Sequence, residues 1–159
     1  MSYYVDDAFD KIIKKYRPFN VYELIREAHC KLLYADLDDE TGGCTQTDQR
    51  CHTIIVNVNW PEWYQKFVIL HEFSHIKMHG GTSTPFYRKL GLDSFVSKME
   101  CEANSLAMKL LIYMQDKDDL DGLTEFQIMD YLGLPHELRR YLSVSYTHLR
   151  AHETRSNLV

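Results

Sequence analysis

The segment Phe67 to His79, FVILHEFSHIKMH, constrains the fold more than any other, because it contains His71-Glu72-Phe73-Ser74-His75. An α-helix turns once every 3.6 residues, so His71 and His75 project from one face a turn apart. Two imidazoles so spaced can share one zinc ion, with nitrogen–metal distances of about 2.0–2.1 Å. Glu72 is offset around the helix, near enough to reach a metal-bound water without taking a coordination position. Two ligands and a general base on one element are the parts of a zinc-dependent hydrolase. The remaining ligand has to come from elsewhere in the chain.

Three specified positions need context, and the flanking residues supply it. Trp63, Phe67, Val68 and His71 follow 3-4 spacing, and Pro61 suits a first helical turn. Gly80-Gly81 stops the helix directly after the histidines. Downstream, Phe95, Val96, Met99, Ala103, Leu106, Ala107, Leu110, Leu111 and Met114 mark a long, mostly buried helix. Glu100, Glu102 and Asn104 are set into that apolar pattern. A carboxylate on a buried face is costly unless it is paired or binds a metal, and Glu100 and Asn104 share a face as the two histidines do. Glu100 is therefore the expected third ligand, with water in the fourth position, which is the open pattern of a catalytic site.

This site predicts a definite chemistry. The metal lowers the pKa of its water toward ~7. Glu72 takes the proton as that water attacks a peptide carbonyl, and passes it to the departing amine. Asn104 is placed to hydrogen-bond a ligand histidine, setting its tautomer and orientation. His79 and Tyr87 are candidates for a second stabiliser of the tetrahedral intermediate, although packing or surface roles suit each of them better.

The chain of 159 residues has room for one domain with a real core. It contains no run of about 18 apolar residues and starts acidic, so neither a membrane span nor a secretion signal is expected. Four unevenly spaced cysteines read as reduced thiols of a cytoplasmic protein. Cys44, Cys51 and His52 match no standard zinc knuckle and lack a fourth ligand, so a second metal site there is not expected. The segment Ser143 to Thr154, SVSYTHLRAHET, resembles the translation of a sequencing-library adapter. We therefore expect one domain over 1–142 and a non-native tail over 143–159, and set aside the ligand-like pair His148 and His152. Removing Arg150, Arg155 and Glu153 takes the formal charge from −5 to −6. An acidic domain lacks the attraction to phosphate backbones that direct nucleic-acid binding needs.

In chain order, Val5, Ala8, Phe9, Ile12, Ile13 and Tyr16 predict an amphipathic helix ending before Pro18. Asn20 with Glu23 resembles a capping box that opens a short helix. Lys31 to Leu37, a short piece at Cys44 to Gln46, and the β-branched Cys51 to Asn59 read as strands. They predict a small antiparallel sheet packed on a zincin-like helical core, an α+β fold. Asp116 to Asp121 reads as a solvated acidic linker. Thr124 to Leu132 and Pro135 to Leu142 read as two short helices around Gly133, half of a helix-turn-helix in outline, but with only Arg139 and Arg140 as basic residues.

HEFSHIKMH (71–79), ECEANSLAMKLL (100–111), IIVNVN (54–59) and the lead-in NVYELIREAHCKLLYADL (20–37) together resemble the ImmA/IrrE-type metallopeptidases. The resemblance covers most of 20–142. It implies that the Glu opening E-x-E-A-N, here Glu100, is the third ligand, and it places the family's Asn at Asn104. Ser74 stands where a glycine is common, and Ile112-Tyr113 where Met-Pro often follows the double leucine. The resemblance further implies a cytoplasmic peptidase associated with phages or mobile elements, with a helix-turn-helix transcriptional repressor as its protein substrate. Two other classes are carried beside it: a zinc-containing module that binds a repressor or antitoxin without cutting it, and a DNA-binding regulator using residues 124–142, which the acidic charge opposes.

Overall fold

The computed structural model describes residues 3–80, 86–87 and 97–142. The chain opens with α1, Tyr3–Tyr16, which buries Val5, Phe9 and Ile12. Helix α2, Val21–Glu27, starts where Asn20 Oδ1 accepts from the Glu23 backbone N–H at 2.8 Å. Three strands follow: β1 (Lys31–Ala35), β2 (Thr41–Asp48) and β3 (Cys51–Asn57). Asp48 lies opposite Cys51, so Gln49 and Arg50 form the hairpin loop, both at positive φ (47° and 71°) as a type I′ turn requires.

The fold is α+β, but one edge of the sheet differs from expectation. The strand order is β1-β3-β2-β4, where β4 is Phe86–Tyr87. β3, β2 and β4 are antiparallel, whereas β1 runs parallel to β3. The reason is topological: β2 runs opposite to β1 but lands on the far side of β3, so the returning β3 lies beside β1 in the same direction. The crossing segment is pinned by side chains of β3 and the residues just after it. Buried Asn57 donates through Nδ2 to the carbonyls of Asp38 and Thr41, both at 2.8 Å, and Asn59 Nδ2 donates to Asp36 Oδ1 at 2.6 Å. Strand composition predicts extended backbone, not partner or direction.

Helix α3, Glu62–His79, runs through the centre of the molecule, between the sheet and α4 (Lys98–Tyr113). Pro61 sits at its N-cap position, one residue before the helix proper. Buried Gln65 ties the entrance by donating to the Trp60 carbonyl at 2.7 Å. Gly80 closes the helix in the left-handed conformation (φ 68°) that glycine adopts without strain. From Tyr64 to Met78 almost every side chain is buried, as suits a helix covered on both faces. Trp63 is the exception in the expected apolar stripe. It is half exposed, and its indole lies over Gly133, where a Cβ would come 1.9 Å from Trp63 Cδ1.

The N-cap of α4 is Ser97, whose Oγ accepts from the Glu100 N–H at 3.2 Å. Phe95 and Val96, expected at its start, lie outside the described residues. The acidic segment expected to be solvated linker instead includes a one-turn helix, α5 (Lys117–Leu120), capped by Asp116 and burying Leu120. Helix α6, Glu125–Leu132, carries a complete capping box between Thr124 and Gln127 and stops at Gly133. A 3-10 turn, His136–Leu138, leads into a last helical segment over 139–142. Ile128, Met129, Leu132, Leu134, Leu138, Tyr141 and Leu142 all enter the core, so this pair packs inward. Lys109 on α4, a charge amid apolar neighbours, is fully buried and pairs with Asp6 of α1 at 2.6 Å. Among the described residues no helix is long and apolar enough to cross a membrane.

Candidate metal centre

The packing of α3 on α4 turns two separate sequence patterns into one cluster. His71 and His75 leave α3 a turn apart, and Glu100 meets them from the first turn of α4. Glu100 Oε2 is 3.1 Å from His71 Nε2, Glu100 Oε1 is 2.9 Å from His75 Nε2, and the two Nε2 atoms are 3.2 Å apart. All three residues are buried. Four ligands held tetrahedrally at about 2.0–2.1 Å from a zinc ion stand ~3.3 Å from one another. The His71–His75 Nε2 separation of 3.2 Å is close to that edge, and one donor atom from each of the three residues lies within 4.8 Å of the others, with nitrogen and carboxylate donors that suit zinc.

The electrostatics of the cluster favour a cation. Burial alone would push the Glu100 carboxyl up, but hydrogen bonds and charge from His71 and His75 hold it well below the usual carboxylate range. Burial alone would lower His71; its hydrogen bond to Glu100, the charges of Glu72 and Glu100, and its bond to Asn104 outweigh that and raise it. Two carboxylates thus face two imidazoles in a buried cluster, a negative field that a divalent ion would balance.

Around these residues stands a second layer. Asn104 Oδ1 lies 2.8 Å from His71 Nδ1, and Tyr141 hydrogen-bonds Asn104 while accepting from Arg140 Nη2 at 2.6 Å. Ser74 donates back to the Leu70 carbonyl at 2.7 Å inside the helix. Glu72 is fully buried, and Thr45 of β2 donates to its Oε2 at 2.7 Å.

Thr45 was not anticipated from sequence, since nothing in a short polar strand says which helix side chain it will meet. The approach depends on Gly43. A Cβ there would lie 2.6 Å from the Ile55 carbonyl oxygen and 2.8 Å from Val68 Cγ1, so β2 can lie this close to β3 and α3 only without a side chain.

His79 does not stand free to meet a reacting group. Its Nδ1 is 3.0 Å from His75 Nδ1 and its Nε2 is 3.0 Å from Glu102 Oε2, in keeping with the packing role preferred for it over that of a stabiliser. The side chain of Tyr87, the other candidate, lies outside what is described, as do His148 and His152. Cys44 and Cys51 do not form a second cluster. Cys44 pairs with Ile55, four residues along β3 from Cys51 or about 13 Å away, while His52 Nδ1 faces Thr47 Oγ1 at 2.9 Å. The four cysteines form no disulfide.

The family model of the IrrE N-terminal-like domain, Peptidase_M78, matches residues 25–151, most of the chain and both ligand-bearing helices. The chain belongs to the ImmA/IrrE-type metallopeptidase family. The matched span runs past 142 into the stretch expected to be a non-native tail, which lies outside the described residues. Among this family member's relatives is the "Uncharacterized immunity region protein 2" of Bacillus phage phi105. It is 32% identical over 142 residues, covering 87% of this chain and 88% of that protein. Another is the "Metallopeptidase ImmA" of Bacillus subtilis (strain 168), 24% identical over 135 residues, covering 82% and 78%. No solved structure matches at a significant level.

Proposed function

We propose that this family member is a zinc-dependent endopeptidase of the cytoplasm that cuts a specific protein, a helix-turn-helix repressor of a phage or mobile element. The observation that carries the reading is the convergence of His71, His75 and Glu100 donor atoms beside the buried carboxylate of Glu72. The three would hold zinc, which would supply Lewis acidity for activating water and polarising the scissile carbonyl. Glu72 takes the proton of the attacking water and returns it to the leaving amine, a role that contributes about 10²–10⁴ in rate. Thr45, bonded to Oε2, orients that carboxylate. Asn104 accepts the Nδ1 proton of His71 and keeps its Nε2 lone pair on the metal side. The repressor as substrate draws support from the relatives: one is encoded in a phage immunity region, another is named a metallopeptidase.

The test is zinc content together with cleavage of any helix-turn-helix repressor found encoded beside the gene, by wild type and Glu72→Gln. Equal zinc, with cleavage by wild type and a loss of at least about 10²-fold in Glu72→Gln, is the expected result. Equal cleavage by both proteins refutes the mechanism. A second reading, a module that captures the repressor without cutting it, predicts partner loss on chelation and no new N-terminus in the partner.

A further inference from the structure

His79 and Glu102 are left without a part in the reaction, yet their side chains are only 7% and 10% exposed and are bonded in series to a ligand. Starting at the metal face, His75 Nδ1 meets His79 Nδ1 at 3.0 Å, His79 Nε2 meets Glu102 Oε2 at 3.0 Å, and Lys98 Nζ lies 3.8 Å from Glu102 Oε1. We propose that His79 and Glu102 are a positioning pair for His75, holding its proton on Nδ1 and its ring toward the ion, and so set how tightly the site retains metal. This rests on the zinc reading of His71, His75 and Glu100.

Counting hydrogens leaves one arrangement. A neutral imidazole has one N–H and one lone pair. To ligate through Nε2, which faces Glu100 and His71, His75 must carry its proton on Nδ1. That proton points at His79 Nδ1, which must then accept. The His79 proton is therefore on Nε2, where it meets a carboxylate oxygen. Each contact in the series has one donor and one acceptor, and the series ends on a formal charge, which makes its last hydrogen bond the stronger kind.

The two ligand histidines are supported unequally. His71 is held by the neutral amide of Asn104, which is bonded in turn to Tyr141; His75 is held by a second imidazole, and its series ends in a carboxylate. The same helix pair that brings the ligands together brings the supports together. His79 is one turn beyond His75 on α3, and Glu102 is two residues beyond Glu100 on α4. Gly80 holds the end of α3 in place through its N–H bond to the His75 carbonyl.

The experiment uses the full chain, stripped of metal, as wild type, His79→Phe, Glu102→Gln, the double variant and His75→Ala. Zinc affinity is measured by competition with a chromophoric chelator, and the ligand field is read from the visible spectrum of the cobalt-loaded protein. His75→Ala is expected to lose tight zinc binding. His79→Phe and Glu102→Gln should each weaken it about 10–100-fold, as loss of an outer partner to a ligand histidine does, and shift the cobalt bands. The double variant should be no weaker than the weaker single one, because the two residues act in one series. If His79→Phe fails to fold, the near-isosteric Glu102→Gln decides alone. Zinc affinities within about threefold of wild type with an unchanged cobalt spectrum would overturn the positioning role and leave the zinc site standing, as would losses that simply add. A wild type that binds no zinc would instead remove the zinc reading, and this inference with it.

Discussion

Gly43→Ala tests the closest approach in the fold. The added Cβ would sit 2.6 Å from the Ile55 carbonyl oxygen and 2.8 Å from Val68 Cγ1, both inside the 3.0 Å that real Cβ contacts respect. The carbonyl belongs to β3 and cannot rotate away without breaking ladder bonds, and Val68 is buried and stiff at χ1. Relief therefore requires β2 to move off by several tenths of an ångström, an overpacking cost at the upper end of about 1–3 kcal/mol. Alanine also restricts the unfolded chain, which returns about 0.4–1 kcal/mol, so the net loss should be about 2–2.5 kcal/mol. Urea unfolding of the metal-free proteins measures it as a lower midpoint at unchanged slope. The displacement also carries Thr45 away from Glu72, so peptidase activity, assayed well below the unfolding transition, should fall by more than the unfolded fraction explains. A variant as stable as wild type within about 0.5 kcal/mol, or one destabilised but fully active, would refute the argument that this glycine sets the strand–helix spacing for the base.

Three further outcomes follow from the same geometry. Thr45→Val keeps the side-chain shape but removes the donor to Glu72 Oε2; the loss of a charged hydrogen bond worth about 1.5–3 kcal/mol should reduce kcat/KM roughly 10–100-fold with zinc content unchanged. Because His71 is raised above its ordinary 6.5 in the metal-free site, protons compete with zinc at and above that pH. Apparent zinc affinity should therefore climb as pH rises from 6 and level off above the raised value, with proton release seen by calorimetry in buffers of different ionisation enthalpy; a flat profile contradicts the assignment. Asp6→Ala leaves the buried Lys109 ammonium unpaired and should cost about 3 kcal/mol, the low end for a broken buried pair because Asp6 itself is partly exposed, whereas Lys109→Met should change stability by less than about 1 kcal/mol. Equal effects of the two substitutions in thermal or urea unfolding would show that the charge pair is not what matters there.

Features spanning a turn or less were legible in the chain itself. The i, i+4 histidines, the Asn20 cap and the glycine stops at Gly80 and Gly133 all depend on neighbours within a few positions, where backbone geometry is known in advance. The carboxylate at Glu100 could be singled out because a charge amid apolar periodicity demands a partner. Lys109 is such a charge too, on the same helix, and its demand is met by Asp6 instead, so local pattern alone does not name the partner. Partners and directions were decided by tertiary packing. The parallel pairing of β1 with β3, the hydroxyl of Thr45 on Glu72 and the contact of His79 Nε2 with Glu102 join residues 22 to 27 positions apart, across elements whose relative placement no local rule sets. The sequence by itself determined which side chains could do metal chemistry; the packing of α3 between sheet and α4 determined which of them face one another, because only that packing excludes water and leaves each buried polar atom to find its partner across the interface.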